Sequence, residues 1–226
     1  MSEKLVIKNI FWDVDGVLVD LNHAYFEFLT KHEKYKSHFS GLEYKDLAKV
    51  LPVNEEKYGA MDLITHPELG KELDYDFCHT DDFYFDRPLY DGTVEVLTEL
   101  DKLGYRQLTM SAGFDMEKKK EMIARILGDA VRLLTVEVTL HGDKMHDTTK
   151  EEKLIQCMKK YGLKPEETIL VDDRIYNIYS ALRAGVHPVR FRSEFTTDLP
   201  EDLKDIPEVR NIYELKEWLL NNTTMK

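Results

Sequence analysis

In the stretch IFWDVDGVLVDL, Ile10 to Leu21, two carboxylates stand directly behind an apolar run. Asp13 and Asp15 are one residue apart and are followed by Gly16. A second acidic pair, Asp172 and Asp173, follows the apolar run TILV. A buried carboxylate is costly unless it is paired or bound to a cation, so either these runs end in exposed turns or the acids have a positive partner. Ser111 closes a third apolar segment, YRQLTM, and the stretch TTKEEK offers Lys150 and Lys153. Carboxylate oxygens with room for water suit Mg²⁺. A lysine would offset further charge, and a serine hydroxyl with N–H groups near Gly16 and Gly113 suits an anion. An aspartate beside such a site could attack phosphorus and form an aspartyl-phosphate.

Chemistry of that kind requires elements that bring these residues together. Val94, Leu97, Leu100 and Leu103 precede Gly104; Met122, Ile123, Ile126 and Leu127 precede Gly128. Leu154, Ile155, Met158 and Tyr161 precede Gly162; Ile175, Ile178, Leu182 and Ala184 precede Gly185. Each set has helical spacing, and the glycine behind it predicts a helix stop. Beyond the glycines lie YRQLTM, AVRLLTV, TILV and HPVRF, short apolar segments that predict buried strands. With KLVIKNIFW they make five strands separated by helices, the pattern of a doubly wound parallel α/β sheet, Rossmann-like in its layering.

Between Asp20 and Pro88 the alternation stops. About 65 residues are too many for a βα connection, and the stripe Leu21, Ala24, Tyr25, Phe28 and Leu29 is helical. The expected organisation is a core of residues 1–19 and 89–226 with an inserted helical cap at 20–88. The last helix is expected at Ile212 to Leu220, behind a surface connection, TTDLPEDLKDIPEV. Ligands of open parallel sheets bind outside the carboxyl ends of the strands, which is where Asp13, Asp15, Ser111, Asp172 and Asp173 fall. Two carboxylates about 4 Å apart repel by roughly 4 kcal/mol at an effective dielectric near 20, so four acids at one rim call for a cation.

On these residues the sequence resembles the haloacid dehalogenase-like hydrolase superfamily, whose members are mostly Mg²⁺-dependent phosphatases. The matching motifs are FWDVDGVLVD, QLTMS and VDDRIYN, with Lys150 or, in reserve, Lys153 as the third-motif lysine. Lys150 is preferred because it opens its helix behind Thr149, which with Glu152 makes a capping box. The resemblance implies Asp13 as nucleophile and Asp15 as the acid that protonates the leaving alcohol and then activates water. It implies Mg²⁺ held by Asp13, the Asp15 carbonyl and Asp173, with Asp172 in direct or water-mediated contact and Asn177 behind them. Ser111, Ala112 and Lys150 would bind phosphate. An aspartate fits the acid role only with a pKa raised by burial or like charge. Members that cleave carbon–halogen bonds need no acid at the second position, so Asp15 favours phosphate chemistry. A phosphomutase shares every core residue, and a non-catalytic binding protein on the same fold is the alternative from another class.

The bulk properties fit an enzyme of small molecules. With 31 basic and 43 acidic residues the net charge is −12, which disfavours nucleic acid and acidic membranes as partners. Two cysteines, Cys78 and Cys157, imply neither a disulfide framework nor a zinc site. No run of about 18 apolar residues occurs, and a cytoplasmic protein is expected. A calcium loop at DVDG lacks a further Asp or Asn before the glycine. HGDKMHD, His141 to Asp147, is expected to be a polar loop. Asn22 and His23, soon after the acidic loop, are candidates to touch substrate.

Overall fold

The computed structural model describes residues 4–51, 67–113, 115–140, 150–193 and 195–225. Strands β1 (Leu5–Val6) and β2 (Asn9–Trp12) open the chain, followed by helices α1 (Leu21–Lys31), α2 (Gly70–His79), α3 (Asp81–Tyr84) and α4 (Thr93–Lys102). Then come β3 (Arg106–Thr109), β4 (Ser111–Gly113), α5 (Met116–Leu127), β5 (Val138–Leu140), α6 (Lys150–Tyr161) and β6 (Thr168–Asp172). The chain ends with α7 (Ile175–Arg183), β7 (His187–Phe191), β8 (Glu208–Val209), α8 (Ile212–Asn222) and β9 (Thr223–Thr224).

The central sheet has the order β3-β2-β6-β7-β8 and is parallel throughout. Successive side chains of a strand point to opposite faces, and both faces are covered here. Ile10, Trp12, Ile169 and Val171 pack with Val96 and Leu100 of α4, Met122 and Ile123 of α5, and Leu215 and Leu219 of α8. Phe11, Leu108 and Leu170 pack with Leu154 and Met158 of α6 and Ala181 of α7. Burial on both faces explains why β2 and β6 are buried along their whole length. The architecture is the doubly wound α/β sheet expected from the sequence.

Several details differ from expectation. AVRLLTV is not a strand: residues Gly128–Leu133 form a 3₁₀ turn, and the extended segment comes later, as a Leu108–Thr135 bridge and β5 beside β4. A short apolar run buries itself equally well as a helical turn, and periodicity cannot separate the two. Helices α4, α6 and α7 are where expected, but Val94, Ile155 and Leu182 face solvent. The buried stripes run instead through Val96, Cys157 and Ala181. The connection before α8 contains β8, which pairs Glu208 and Val209 with Arg190 and Phe191. A two-residue strand is too short to show alternation and is recruited by its neighbour. Neither Cys78 nor Cys157 forms a disulfide with a described residue. Among the described residues no helix is long and apolar enough to cross a membrane.

Residues 20–51 and 67–88 carry helices and 3₁₀ turns; Phe28, Leu29, Tyr35, Leu47, Leu73 and Phe77 form a separate buried cluster joined by Phe195, while Tyr84 and Phe85 pack into the cluster of the sheet. Asp20 caps α1 by accepting from the His23 N–H at 2.9 Å, a contact worth about 1 kcal/mol. The chain leaves and returns side by side: Val19 and Leu89 form an antiparallel bridge, and Asp20 N donates to Pro88 O at 2.8 Å.

Candidate active site

The β2 ladder continues one residue past Trp12, with Asp13 N donating to Val171 O at 2.9 Å. The chain then folds back tightly. Leu18 N and Val19 N both donate to Val14 O, and Gly16 N donates to Val19 O. Gly16 takes φ +82°, and a Cβ there would lie 2.7 Å from Asp173 Oδ2. Left-handed backbone and close approach both demand glycine. The glycine of DVDG thus lets the acid of a distant strand close on the loop.

Asp172 ends β6 with no exposure. Its Oδ1 accepts from Arg174 N at 3.0 Å and Asn177 Nδ2 at 2.9 Å, and its Oδ2 from Lys150 Nζ. Lys150 also lies 3.2 Å from Asp13 Oδ2, while Asp13 Oδ1 accepts from Val14 N at 2.8 Å. Oxygens of Asp13, Asp172 and Asp173 lie within 4.8 Å of one another. Burial raises the Asp13 pKa well above the usual carboxylate range; Lys150 opposes this, and Asp172, Asp173 and Asp15 add to it. Arg174 Nε approaches Asp173 Oδ2 at 3.4 Å.

Asp15 is held differently. Arg87 Nη1 donates to its Oδ1 and Lys119 Nζ to its Oδ2. Burial would raise its pKa, but Lys119 and Arg87 outweigh burial and hold it well below the usual carboxylate range. The raised pKa expected of a general acid is not found in this arrangement, because two buried cations face the carboxylate. In sequence Lys119 hides in the charge run EKKKE. Its signal is that it stands three and four residues before Met122 and Ile123, on the apolar stripe of α5. Arg87, in the irregular text FDRP, has no such signal. The charge balance changes as well: Asp15 has Lys119 and Arg87 to itself, while Asp13, Asp172 and Asp173 share Lys150 and Arg174, so the crowding that an added ion would relieve lies among those three acids.

Met110 N donates to Trp12 O at 2.7 Å, which sets Ser111 beside the Asp13 loop. The Ser111 hydroxyl is buried and finds no hydrogen-bond partner among the described residues, a state that costs about 1–3 kcal/mol when unrelieved. Ala112 and Gly113 continue β4, and the Lys119 side chain crosses against Gly113, where a Cβ would meet its Cβ at 3.0 Å. Thr149, of the expected capping box, and the loop His141–Asp147 lie outside the described residues. Lys150 is the lysine that reaches Asp13 and Asp172; Lys153, half-buried in the same turn, has its pKa lowered by burial and by Lys150. Asn22 and His23 lie in the first turn of α1, where the His23 ring packs against Tyr44 and Phe26 at 5.4 and 6.3 Å.

Comparison with known proteins bears on the fold and the family. A search of curated proteins gives no match. Among solved structures, a haloacid dehalogenase-like family hydrolase from Streptococcus pneumoniae has 16% identity and a TM-score of 0.67, covering 94% of this chain and 98% of its own. A structure described as a predicted phosphatase from Clostridium acetobutylicum has 17% identity and a TM-score of 0.67, covering 96% and 99%. L-2-haloacid dehalogenase from Xanthobacter autotrophicus has 14% identity and a TM-score of 0.62, covering 95% and 99%. At these identities the likeness concerns the fold. The sequence itself matches the haloacid dehalogenase-like hydrolase family over residues 7–185, and the chain belongs to that family.

Proposed function

We propose that this protein is a Mg²⁺-dependent phosphomonoester hydrolase acting on a small phosphorylated metabolite through an aspartyl-phosphate on Asp13. The observation that carries this reading is one rim holding three clustered carboxylates, the ammonium of Lys150 and the unpartnered hydroxyl of Ser111. An acid at position 15 also supports phosphate over haloacid chemistry.

The residues present fit a divalent cation. Asp13, Asp173 and the Asp15 carbonyl would hold the ion, and Asp172, which also accepts from Lys150, Arg174 N and Asn177, would contact it directly or through water. Mg²⁺ bound there supplies charge neutralisation for the nucleophile and the phosphoryl oxygens. Lys150, the Ser111 hydroxyl and the N–H groups around Ala112 hold the phosphoryl oxygens. An Asp13 oxygen attacks phosphorus, the bond to the leaving oxygen breaks, and that oxygen takes a proton from Asp15. Water then attacks phosphorus, its proton passes to Asp15, and the Asp13 carboxylate is released. Between two cations Asp15 is held ionised, which weakens it as a base and leaves it no proton to donate. Donating one in the first half requires it to give up a cation. In this reading residues 20–88 are the cap and 1–19 with 89–226 the core, the cap closing over substrate to exclude water.

Phosphate release from an aryl phosphate tests the reading. Excess chelator is expected to abolish it and added Mg²⁺ to restore it; full activity in chelator would remove the metal. Gly16→Ala is expected to lower stability by about 1–2 kcal/mol for the left-handed backbone and to push Asp173 outward. Thermal melts with and without Mg²⁺ should show the ion's stabilisation shrinking as well. An unchanged Mg²⁺ response would separate Asp173 from the ion.

A further inference from the structure

The two cations on Asp15 come from different parts of the molecule. Lys119 belongs to α5, and its side chain has 2% exposure. Arg87 belongs to the segment returning from residues 20–86, and its side chain has 3% exposure. The guanidinium of Arg87 lies 5.0 Å from the ring centre of Phe77 in α2 and 4.6 Å from that of Tyr84 in α3. Its Nε donates to Tyr84 O at 3.1 Å. Phe77 in turn packs edge-on against Phe28 and stacked on Tyr25 of α1. Next to Lys119, Lys118 donates to Cys78 O at 2.9 Å and to Asp81 Oδ1 at 2.7 Å, tying α5 to the same helices.

A planar guanidinium between two rings has little rotational freedom, and its remaining N–H groups are aimed. The direction in which Arg87 presents Nη1 to Asp15 is therefore set by the aromatic packing of α1, α2 and α3. We propose that Arg87 is a positioning residue that ties the orientation of the Asp15 carboxylate to the seating of these helices, with Lys119 fixing its second oxygen from the core. The proposal rests on the phosphatase reading and adds which residues aim Asp15. A carboxylate that takes a proton from water must be placed to within a fraction of an ångström, so loosening the clamp slows the water step and leaves attack by Asp13 in place.

The test separates the two half-reactions. Enzyme turning over radiolabelled p-nitrophenyl phosphate is quenched in acid, and the fraction trapped as acyl phosphate is measured beside turnover. In Arg87→Gln turnover is expected to fall roughly ten- to a hundredfold, the scale of a small misplacement, while the trapped fraction rises. Phe77→Leu keeps an apolar side chain and does not touch Asp15. It is expected to show the same signature at about two- to tenfold, the scale of one lost cation–π contact. Arg87→Lys, which keeps the charge and loses the fork, should fall between wild type and Arg87→Gln. A merely structural role would lower turnover and trapped fraction together, and that result in the two folded variants, or no change in either quantity, overturns the proposal. Wild-type enzyme that neither traps phosphate nor releases it overturns the phosphatase reading, and this inference with it.

Discussion

Asp13→Asn is expected to reduce aryl phosphate turnover by about 10⁴-fold or more, the scale seen when a nucleophile is removed, without loss of fold. Asparagine keeps the shape and keeps an oxygen to accept from Val14 N. What it loses is the anion that attacks phosphorus. The stability side follows from the same crowding. Asp13 is buried beside Asp172, Asp173 and Asp15, and its pKa is raised by burial and by those neighbours. A neutral side chain relieves that repulsion, so the melting temperature of the metal-free protein should stay level or rise. Loss of turnover with an intact melting transition is the predicted pair of observations. Turnover near wild type would refute the nucleophile assignment.

Lys150→Ala should damage both activity and stability. Lys150 is buried against Asp172 and Asp13, and removing one partner of a buried pair leaves an uncompensated charge, at a cost of about 3–5 kcal/mol. For a chain of this length that is a fall in melting temperature of roughly 6–20 °C. Phosphate affinity should fall as well, because the ammonium facing Asp13 is the one that would hold a phosphoryl oxygen. Lys153→Ala, in the same helical turn, is expected to change both far less. Melting curves with inhibition by inorganic phosphate measure the contrast, and the reverse order would move the phosphate-binding role to Lys153.

These expectations draw on parts of the molecule that differed in legibility. The four acids Asp13, Asp15, Asp172 and Asp173 were visible because charge directly behind a buried run is locally anomalous. The parallel sheet was visible because burial on both faces writes continuous apolar runs, and helix stops need glycine: Gly104, Gly128, Gly162 and Gly185 all have positive φ. Gly16 stood in plain view, but only the approach of Asp173 across the sheet edge shows that its missing Cβ is a requirement.

Legible from the chain alone were local facts: most strands and helices in order, AVRLLTV excepted, and acids at strand ends. Periodicity and turn chemistry are properties of neighbours in the chain, so neighbours suffice to reveal them. Only the tertiary structure decided how the charges pair. Arg87 and Lys119 stand 72 and 104 residues from Asp15, and no local pattern encodes such a meeting. It inverts the expected pKa of Asp15, since an electrostatic shift depends on the distance between groups in space.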